Sequence, residues 1–502
     1  MPSFESRLGG LVSRRRWVAL AVAYAVIELA YVFFVSAGRF THWPETLRFL
    51  DDQAEGFRAG HLHFAIEPAA ALLAKANPFD PRWKPLWYWD ASLYDGHYYL
   101  YWGPVPALLL AGFKTLFRVR ADAHIGDQHV VFVLASLQAL AGLLLVDRMQ
   151  RRLFPDLPGV FVVLAVAVFA FAAPTPYNLA RGAVYEAAIV GGHAFLIAGL
   201  VFAFDAVSAG RQRSRLALAG ACWALAVGCR ASIAPAVALL AVLTCWLVAP
   251  RASWRLRGVA LGWLGAPIAV GIALLLTYNK LRFDHWLDFG RHYQLTWIAF
   301  GSSPTYLPAN VWSYAFRPGA LRCTFPYLFA ISDMGAQALP RWMHKPDGYI
   351  IYEPVIGFLL AIPWAWLAPT TAVLGVRRLA AFARRGGDGD PAGLALTWLT
   401  VATSIAAIGS FLVPLTLFWA TMRFMGDATP VLTLAGTVGW WLWHSRVREE
   451  RAQRRLVTAA AVVLALITVG SGLALGFEGQ YGQFRQHNPA LLDRLEKALS
   501  FC

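Results

Sequence analysis

The chain has 502 residues, of which 58% are hydrophobic and only 15% charged, and its mean hydropathy is +0.50. This composition is too apolar for a soluble domain with an ordinary charged surface, and it predicts an integral membrane protein. A net charge of +15 could suit a nucleic-acid partner, but the arginines fall in short clusters between apolar runs. Arginines in such positions orient and anchor membrane spans, so we expect membrane lipid as a partner and no nucleic acid.

The first apolar run, 17–35, follows Arg14, Arg15 and Arg16 and is predicted to be a retained first span, since no small-residue cleavage pattern follows it. Further runs of spanning length lie at 130–146, 159–173, 184–206, 215–229, 231–249, 258–278, 354–376, 393–417, 428–444 and 456–476. Together these runs predict an all-α polytopic membrane protein with about eleven transmembrane helices.

One further apolar run, 103–117, is framed by Pro104 and Pro106, and its path decides the orientation of every later span. If it does not cross, the later arginine clusters fall on the same side as the N-terminal arginines, as the cytoplasmic excess of basic residues requires. These clusters lie at 148–152, 211–215, 251–257, 377–385 and 446–455. We therefore predict that 103–117 is a re-entrant or interfacial helix and that the N-terminus is cytoplasmic.

This orientation divides the chain into a membrane domain, 1–476, and an external C-terminal tail, 477–502. Two long external segments result, 38–129 and 279–353. The cytoplasmic links are short and basic, whereas the external segments contain aromatic residues, prolines and most of the acidic residues. Long loops of this kind usually have a function, so the sequence predicts a functional site on the side facing away from the cytoplasm.

Three carboxylates, Asp51, Asp52 and Glu55, follow the first span closely. On a helix, Asp51 and Glu55 are four residues apart and share one face. Like charges at this distance raise the pKa of one of the groups, which suits a general base or a cation ligand. A solvated helix with an acidic face would give the same pattern.

Three other stretches carry a family resemblance. They read WDASLYDGHYYLYWGPVP at 89–106, YNKLRFD at 278–284 and RFMGD at 423–427. These stretches, the long first loop with its acidic cluster and the Pro-framed helix resemble the GT-C superfamily of membrane glycosyltransferases. That superfamily includes protein O-mannosyltransferases and aminoarabinose transferases, and the similarity is to its bacterial members. The resemblance implies a glycosyltransferase of the bacterial inner membrane with a periplasmic active site.

The resemblance also implies the reaction. A sugar on a polyprenyl phosphate would pass to a hydroxyl of a glycan, lipid or protein acceptor, with inversion at the sugar. Because the lipid phosphate is a good leaving group, the reaction needs a carboxylate base and cations rather than a strong acid. A first-loop aspartate takes the role of base in the family, which corresponds to Asp51 or Asp52. This chain has Gln53-Ala54 where the family often has a tyrosine, so Glu55 is a third candidate.

Candidate substrate-binding residues are arginines near the predicted span ends and residues of the aromatic first loop. Arginine suits a phosphate because its guanidinium binds two oxygens at once, and aromatic faces stack on sugar rings. The candidates are Arg282, Arg291 and Arg423 for the phosphate, and Asp90, Tyr94, Tyr98 and Tyr99 for the sugar. The arginines could instead anchor spans, and aromatic residues are also enriched at membrane interfaces without any ligand.

The sequence leaves metals and disulfides open. A divalent cation such as Mg²⁺ or Mn²⁺ could be bound by carboxylates together with His61, His63 and His97, although these residues show no regular ligand spacing. A bond between Cys323 and Cys502 would be possible in an oxidising compartment. Neither pattern is specific enough to predict a cofactor.

Three other classes of function compete with an enzyme of this kind. A transporter or flippase for a lipid-linked substrate is the main alternative, although no internal repeat is visible and the acidic residues concentrate outside the spans. A polysaccharide polymerase or ligase would place its site in the second long loop, 279–353. A membrane scaffold is the third, and the acidic cluster beside an aromatic loop argues against it.

Overall fold

The computed structural model describes most of the chain. The described residues are 4–209, 213–248, 254–298, 301–331, 339–350, 353–385, 390–447 and 449–502. Parts of the second long loop, and Arg211, Arg251 and Arg448 of the arginine clusters, lie outside them.

The described residues form an almost entirely helical protein, as predicted. The α-helices are α1 (Phe4–Val35), α2 (Phe49–Arg58), α3 (Ala70–Leu73), α4 (Val105–Leu116), α5 (Asp127–Leu153), α6 (Gly159–Phe171), α7 (Thr175–Arg181), α8 (Val184–Ala209), α9 (Arg213–Cys229), α10 (Ala234–Val248), α11 (Trp254–Phe283), α12 (Leu307–Ala315), α13 (Phe358–Ala361), α14 (Ala368–Arg385), α15 (Pro391–Phe411), α16 (Thr429–Arg446), α17 (Arg451–Glu478), α18 (Gln483–His487) and α19 (Pro489–Leu499). Short 3₁₀ helices lie at Pro81–Leu86, Ala231–Ile233, Arg291–Tyr293, Pro304–Tyr306, Pro363–Leu367, Pro414–Thr416, Met422–Asp427 and Gln480–Gly482.

Among the described residues, seven helices are long and apolar enough to cross a membrane. They are α1, α5, α8, α10, α11, α15 and α17, and the bounds of five of these spans are shorter or longer than those of the helix by some residues. An eighth span results if α6 and α7, which are bent by 43° at a short break, act together. The other predicted spans, at 215–229, 354–376 and 428–444, correspond to helices that do not meet this criterion.

The apolar run at 354–376, which is predicted to be a span, is not one continuous helix. The chain there runs through α13, the 3₁₀ helix Pro363–Leu367 and then α14. Pro363 cannot donate a backbone hydrogen bond, and the residue before a proline is disfavoured in α conformation, so the first helix ends at Ala361. The helical part of this segment therefore starts later than the apolar run and extends to Arg385.

Ion pairs identify which helix ends lie together. At the start of the spanning part of α1, Arg16 Nε donates to Asp147 Oδ1 near the end of α5, at 2.8 Å. Near the end of α8, Asp205 accepts from Arg148 of α5 at 2.6 Å and pairs with Arg215 of α9 at 3.3 Å. We call this the arginine end of the helix bundle, and the opposite end, where α1 and α6 finish, the site end.

The segment between α1 and α5 begins and finishes at the site end. Because α1 starts and α5 stops at the arginine end, the chain from Val35 to Asp127 leaves from and returns to the same side. Helix α4 has 12 residues, which at about 1.5 Å per residue is roughly 18 Å, short of the hydrocarbon core of about 30 Å. The side chains of its last residue, Leu116, and of the following Phe117 are exposed, and the helix packs against α2 instead of passing between the bundle ends.

A hairpin within the first long loop was not part of the all-α prediction. Strands β1 (Ser92–Tyr94) and β2 (His97–Tyr99) pair antiparallel, with Tyr94 opposite His97. Asp95 and Gly96 connect them with φ angles of 45° and 75°, the conformation that an Asp-Gly pair favours in a two-residue hairpin turn. A second pair, β3 (Ala320–Leu321) and β4 (Leu328–Phe329), lies in the later loop.

Small residues bring the membrane helices close together. A Cβ on Gly220 of α9 would lie 2.1 Å from the carbonyl oxygen of Leu264 in α11, and one on Gly472 of α17 would lie 1.8 Å from that of Phe171 in α6. Glycine permits this backbone approach, which supports helix packing in lipid through van der Waals contact. The helices of the bundle that carry the loops of the candidate site are therefore closely packed.

Candidate active site

A cavity of about 670 Å³ opens at the site end of the bundle. Its charged lining residues are Lys84, Asp90, Arg181, Arg230, Arg291, Glu353 and Arg423. Its aromatic lining residues are Trp89, Tyr101, Trp102, Tyr185, Phe289, Trp297, Trp419, Phe424 and Tyr481. Basic side chains outnumber acidic ones, so the cavity suits an anionic ligand that also presents surfaces for aromatic contact.

Asp90 sits where the two long loops meet. Its backbone N–H donates to the carbonyl of Leu295 at 3.1 Å, and the Leu295 N–H donates to the carbonyl of Ala91 at 2.9 Å. The residue has a φ of 65°, a left-handed conformation that aspartate tolerates better than most residues. The Tyr185 hydroxyl donates to one carboxylate oxygen, and Gln294 Nε2 donates to the other at 3.1 Å.

Burial raises the pKa of Asp90 above its ordinary value. The hydrogen bond from Tyr185 and the charges of Arg423 and Arg181 oppose this effect without cancelling it. A desolvated carboxylate with a raised pKa is a stronger base than an exposed one. Asp90 is thus a carboxylate on the cavity wall that is held in place and suited to proton transfer.

Tyr185 is held between two arginines. The guanidinium carbons of Arg181 and Arg423 lie 4.7 Å and 4.8 Å from the centre of its ring. The ring also meets Trp102 edge to face, at 6.1 Å between centroids. These cation–π contacts fix the tyrosine that donates to Asp90 and place both positive charges beside that carboxylate.

Two carboxylates, one on the cavity wall and one outside its lining, orient these arginines. Arg423 pairs with Glu353 at 3.0 Å, and Glu353 also accepts from Gln480 Nε2 and the Tyr481 hydroxyl, both at 3.0 Å. Arg181 pairs with Glu186 at 3.4 Å. Each guanidinium is thereby pre-oriented, and little side-chain entropy remains to be lost on ligand binding.

Two further arginines complete the wall. Arg230 is buried and pairs with Asp427 through two hydrogen bonds, one of them 2.6 Å long. Its guanidinium also lies 5.5 Å from the Trp102 ring. For Arg291, burial lowers the pKa of the guanidinium, and nearby Tyr101 opposes that effect.

The acidic cluster of α2 lies away from the cavity. Lys114 of α4 is fully buried and pairs with Asp51 at 2.7 Å and with Glu55 at 2.5 Å. Arg58 also pairs with Glu55, at 2.7 Å, and His124 Nδ1 lies 3.2 Å from Asp51. Neither carboxylate lines the cavity, and their contacts fasten α2 to α4.

Asp52, the third carboxylate of the cluster, has a different hydrogen-bond partner. The Tyr88 hydroxyl donates to it at 2.5 Å, and burial raises its pKa, with the charge of Asp51 adding to the effect. Asp52 does not line the cavity. Its partner Tyr88 belongs to the segment that leads to Asp90.

The structure divides the other predicted residues into two groups. Asp90, Arg291 and Arg423 line the cavity, whereas Arg282, Tyr94, Tyr98 and Tyr99 do not. Arg282 is buried, donates to the Leu100 carbonyl and to Asn279 Oδ1 at 2.8 Å, and lies 3.8 Å from the Tyr278 ring. It ties the end of α11 to the first loop, and Tyr94 and Tyr99 pack on the same side against Phe283.

Sequence reasoning missed several wall residues. Arg181 lies on a link predicted to be external, and a basic residue there departs from the positive-inside bias, so it could have been found. Glu353, Gln480 and Tyr481 carry no local motif. They come from the end of the second loop and from the segment after α17, and only the folded chain brings them together.

The structure also groups residues suited to binding a metal. Among the described residues, ligand atoms of His63, Glu67 and His97 all lie within 4.8 Å of one another. None of these three residues lines the cavity. The two carboxylates that do line it, Asp90 and Glu353, already accept hydrogen bonds from other side chains. A requirement for Mg²⁺ or Mn²⁺ in the cavity stays a prediction.

Comparison with known proteins identifies no family. No protein-family model matches the chain, and no curated protein matches it in sequence. Among solved structures, the Archaeoglobus fulgidus oligosaccharyltransferase in its apo form is similar over 91% of this chain, with 12% identity and a TM-score of 0.49. The match spans 55% of that protein's length. The fold and the cavity define the chain as a mainly helical polytopic membrane protein with an arginine-rich cavity at one end of the bundle.

Proposed function

We propose that the protein is a membrane glycosyltransferase of the GT-C type that moves a sugar from a polyprenyl-phosphate donor to an acceptor hydroxyl. The observation that supports this most directly is a half-buried carboxylate, Asp90, on the wall of an arginine-lined and aromatic-walled cavity at the end of a membrane helix bundle. The acceptor is a glycan, lipid or protein with a reactive hydroxyl.

The arginines supply the binding site for the donor phosphate. Arg181, Arg291 and Arg423 line one cavity, and two of them flank the same tyrosine. Guanidinium groups bind phosphate through paired, charge-assisted hydrogen bonds that are stronger where water is excluded. Trp89, Trp102 and the other aromatic wall residues provide faces on which a sugar ring stacks.

Asp90 accepts the proton of the acceptor hydroxyl. As the acceptor oxygen bonds to the anomeric carbon, the bond from that carbon to the phosphate oxygen breaks and the phosphate leaves with the electron pair. Attack from the face opposite the phosphate inverts the sugar. The arginines stabilise the charge that accumulates on the leaving phosphate, and the base contributes roughly 10²–10⁴ in rate.

We assign the base to Asp90 in preference to the acidic cluster of α2. Asp51 and Glu55 share the buried cation of Lys114, and Asp52 is directed at Tyr88. None of the three lines the cavity. Asp90 combines a cavity position with a pKa raised by burial.

The site faces an oxidising compartment in this proposal, the periplasm of a bacterium. Cys323 of the second loop and Cys502 of the tail form a disulfide, and disulfides persist mainly in such compartments. The bonded segments pack beside Phe477, at the site end of α17. This supports an inner-membrane location with a cytoplasmic N-terminus.

The test is sugar transfer by purified protein from a panel of radiolabelled polyprenyl-phosphate sugars to membrane acceptors. Asp90→Asn should lower transfer by about 10²–10⁴-fold while binding of the donor is kept. Asp95→Asn is the matched control, because Asp95 is an exposed aspartate of the same loop, and it should transfer normally.

Two outcomes would contradict the assignment. Normal transfer by Asp90→Asn, with loss in Asp51→Asn or Asp52→Asn at equal folded yield, would return the base to the α2 cluster. Binding of lipid-linked sugars without transfer from any donor would favour a transporter or flippase instead.

A further inference from the structure

Three side chains of the first loop form a cluster on the outside of the cavity wall. His63 follows α2, His97 begins β2, and Glu67 lies between them in the chain. The two imidazole rings stack with centroids 4.1 Å apart, and His97 Nδ1 lies 3.4 Å from a carboxylate oxygen of Glu67. One ligand atom from each residue falls within 4.8 Å of the other two.

The backbone holds this cluster together. The Phe64 N–H donates to the carbonyl of Tyr98 at 2.8 Å, and the Ala65 N–H donates to the carbonyl of Asp52 at 2.9 Å. The segment after α2 is thus fixed both to the hairpin and to the helix. The Asp-Gly turn of the hairpin then sets His97 directly against this segment.

The hydrogen bond of His63 leaves one of its ring nitrogens available as a metal ligand. His63 Nδ1 lies 2.8 Å from the Phe64 carbonyl oxygen, which can only accept, so Nδ1 carries the hydrogen and the lone pair is on Nε2. A backbone carbonyl that fixes the tautomer of a ligating histidine in this way is a regular feature of metal sites. His97 Nδ1 is buried and has no hydrogen-bond partner among the described residues.

We propose that His63, Glu67 and His97 bind one Zn²⁺ ion, with water as the fourth ligand. Two histidines and a carboxylate are a zinc ligand set, and ligands about 2.0–2.1 Å from a tetrahedral ion lie roughly 3.4 Å from each other. The His97–Glu67 separation of 3.4 Å matches this value.

Binding requires the two rings to open from their stacked arrangement, in which their planes differ by 13°. The His97 side chain is 40% exposed and that of Glu67 is 63% exposed, so both have room to move. None of the three residues lines the cavity, and no step of sugar transfer uses the ion. Its role is to clamp the segment after α2 to the hairpin that leads to the cavity wall.

The test uses the full chain, purified with a tag that contains no histidine and stripped of metal with a chelator. Co²⁺ is then added as a spectroscopic substitute for Zn²⁺, and its visible absorption reports tetrahedral coordination. One equivalent of Co²⁺ should bind and be displaced by Zn²⁺ but not by Mg²⁺, which prefers oxygen ligands in octahedral geometry.

Matched variants locate the ion. His63→Ala and His97→Ala should each weaken Co²⁺ binding by more than the roughly 10–100-fold that loss of a supporting hydrogen bond costs. His61→Ala is the control, because this exposed ring stacks on His63 at 4.7 Å but is not in the ligand cluster, and it should bind normally. Zn²⁺ should raise the Tm of the wild type and of His61→Ala, and leave that of His97→Ala unchanged.

Absence of tetrahedral Co²⁺ absorption in the wild type would overturn the proposal. So would equal binding by wild type and His97→Ala, in variants whose metal-free Tm values match. Because the readouts are absorption and Tm, the result is independent of the sugar-transfer assay.

Discussion

The acidic cluster of α2 and the carboxylate of Asp90 lie in the same long loop between α1 and α5 and have different surroundings. Asp51 and Glu55 are paired with the buried ammonium of Lys114. Asp90 accepts hydrogen bonds from Tyr185 and Gln294 and faces the cavity with arginines nearby. The denser group of carboxylates fastens two helices, while the isolated one lies on the cavity wall.

The comparison shows that partners decide the role of a carboxylate more than proximity to other acids does. A carboxylate that shares a buried cation has its charge compensated and its geometry fixed by that cation. A desolvated carboxylate whose partners are neutral donors keeps its basicity and can accept a proton. The following variants separate these two situations, in order of decreasing expected effect.

Lys114→Met should act on stability alone. It leaves Asp51 and Glu55 buried without their shared cation, and removal of one partner of a buried ion pair costs about 3–5 kcal/mol. Thermal unfolding in detergent should show a large fall in Tm, whereas sugar transfer per folded molecule should stay at the wild-type level. Lys497→Met, at an exposed lysine of α19, is the control. Full stability with lost transfer would place the α2 cluster in the chemistry.

Cys323→Ser should lower the stability of the loop and tail beside the cavity and leave the ion pairs of the α2 cluster unchanged. The disulfide to Cys502 closes a sequence separation of 179 residues, and loss of such a bond typically costs 2–5 kcal/mol. The tail that it tethers follows Gln480 and Tyr481, which hydrogen-bond to Glu353. We expect a lower Tm and weaker donor binding. Cys222→Ser removes a cysteine outside the disulfide and should change neither.

The pH dependence of transfer should identify the base. Burial raises the pKa of Asp90, and the base must be ionised, so transfer should fall as pH drops through that raised pKa. The fall should be about tenfold per pH unit and should begin above the range of an ordinary aspartate. Asp52→Asn should show the same fall in transfer over the same pH range. If Asp52→Asn changes the pH at which transfer falls, the proton is accepted by Asp52.

Tyr481→Phe should have the smallest effect. It removes the hydroxyl that donates to Glu353 at 3.0 Å, and a single hydrogen bond is worth about 1 kcal/mol. Because Glu353 orients Arg423, we expect donor binding to be several-fold weaker, as measured by titration with the lipid-linked sugar. The fall in transfer at low pH should be unchanged. Tyr327→Phe, at another hydroxyl outside the cavity lining, should bind donor normally.

Local sequence accounted for much of the helical framework. Apolar runs at 130–146 and 456–476 fall within α5 and α17, because a stretch in lipid must satisfy its own backbone hydrogen bonds and becomes helical. The break in the helix at 354–376 comes from Pro363, whose effect on the backbone outweighs apolar composition. The hairpin at Ser92–Tyr99 carried its Asp-Gly turn signal, but its strands are too short for periodicity to reveal.

The candidate site was predicted in part. Asp90, Arg291 and Arg423 were among the predicted residues and line the cavity. Lys114 could not be predicted as the partner of Asp51, since a lysine within an apolar helix gives no sign of what it faces. The pairing of Cys323 with Cys502 was allowed by the sequence and is formed.

The sequence by itself determined that the protein lies in a membrane, the approximate bounds of most spans and the concentration of acidic and aromatic residues in the long loops. These follow from properties of neighbouring residues, namely apolar length, charge clusters and turn chemistry. Only the tertiary structure decided which carboxylate faces the cavity, which arginines surround it and which histidines meet Glu67. Those contacts join residues far apart in the chain, and their energies depend on burial and distance, which exist only after the helices have packed.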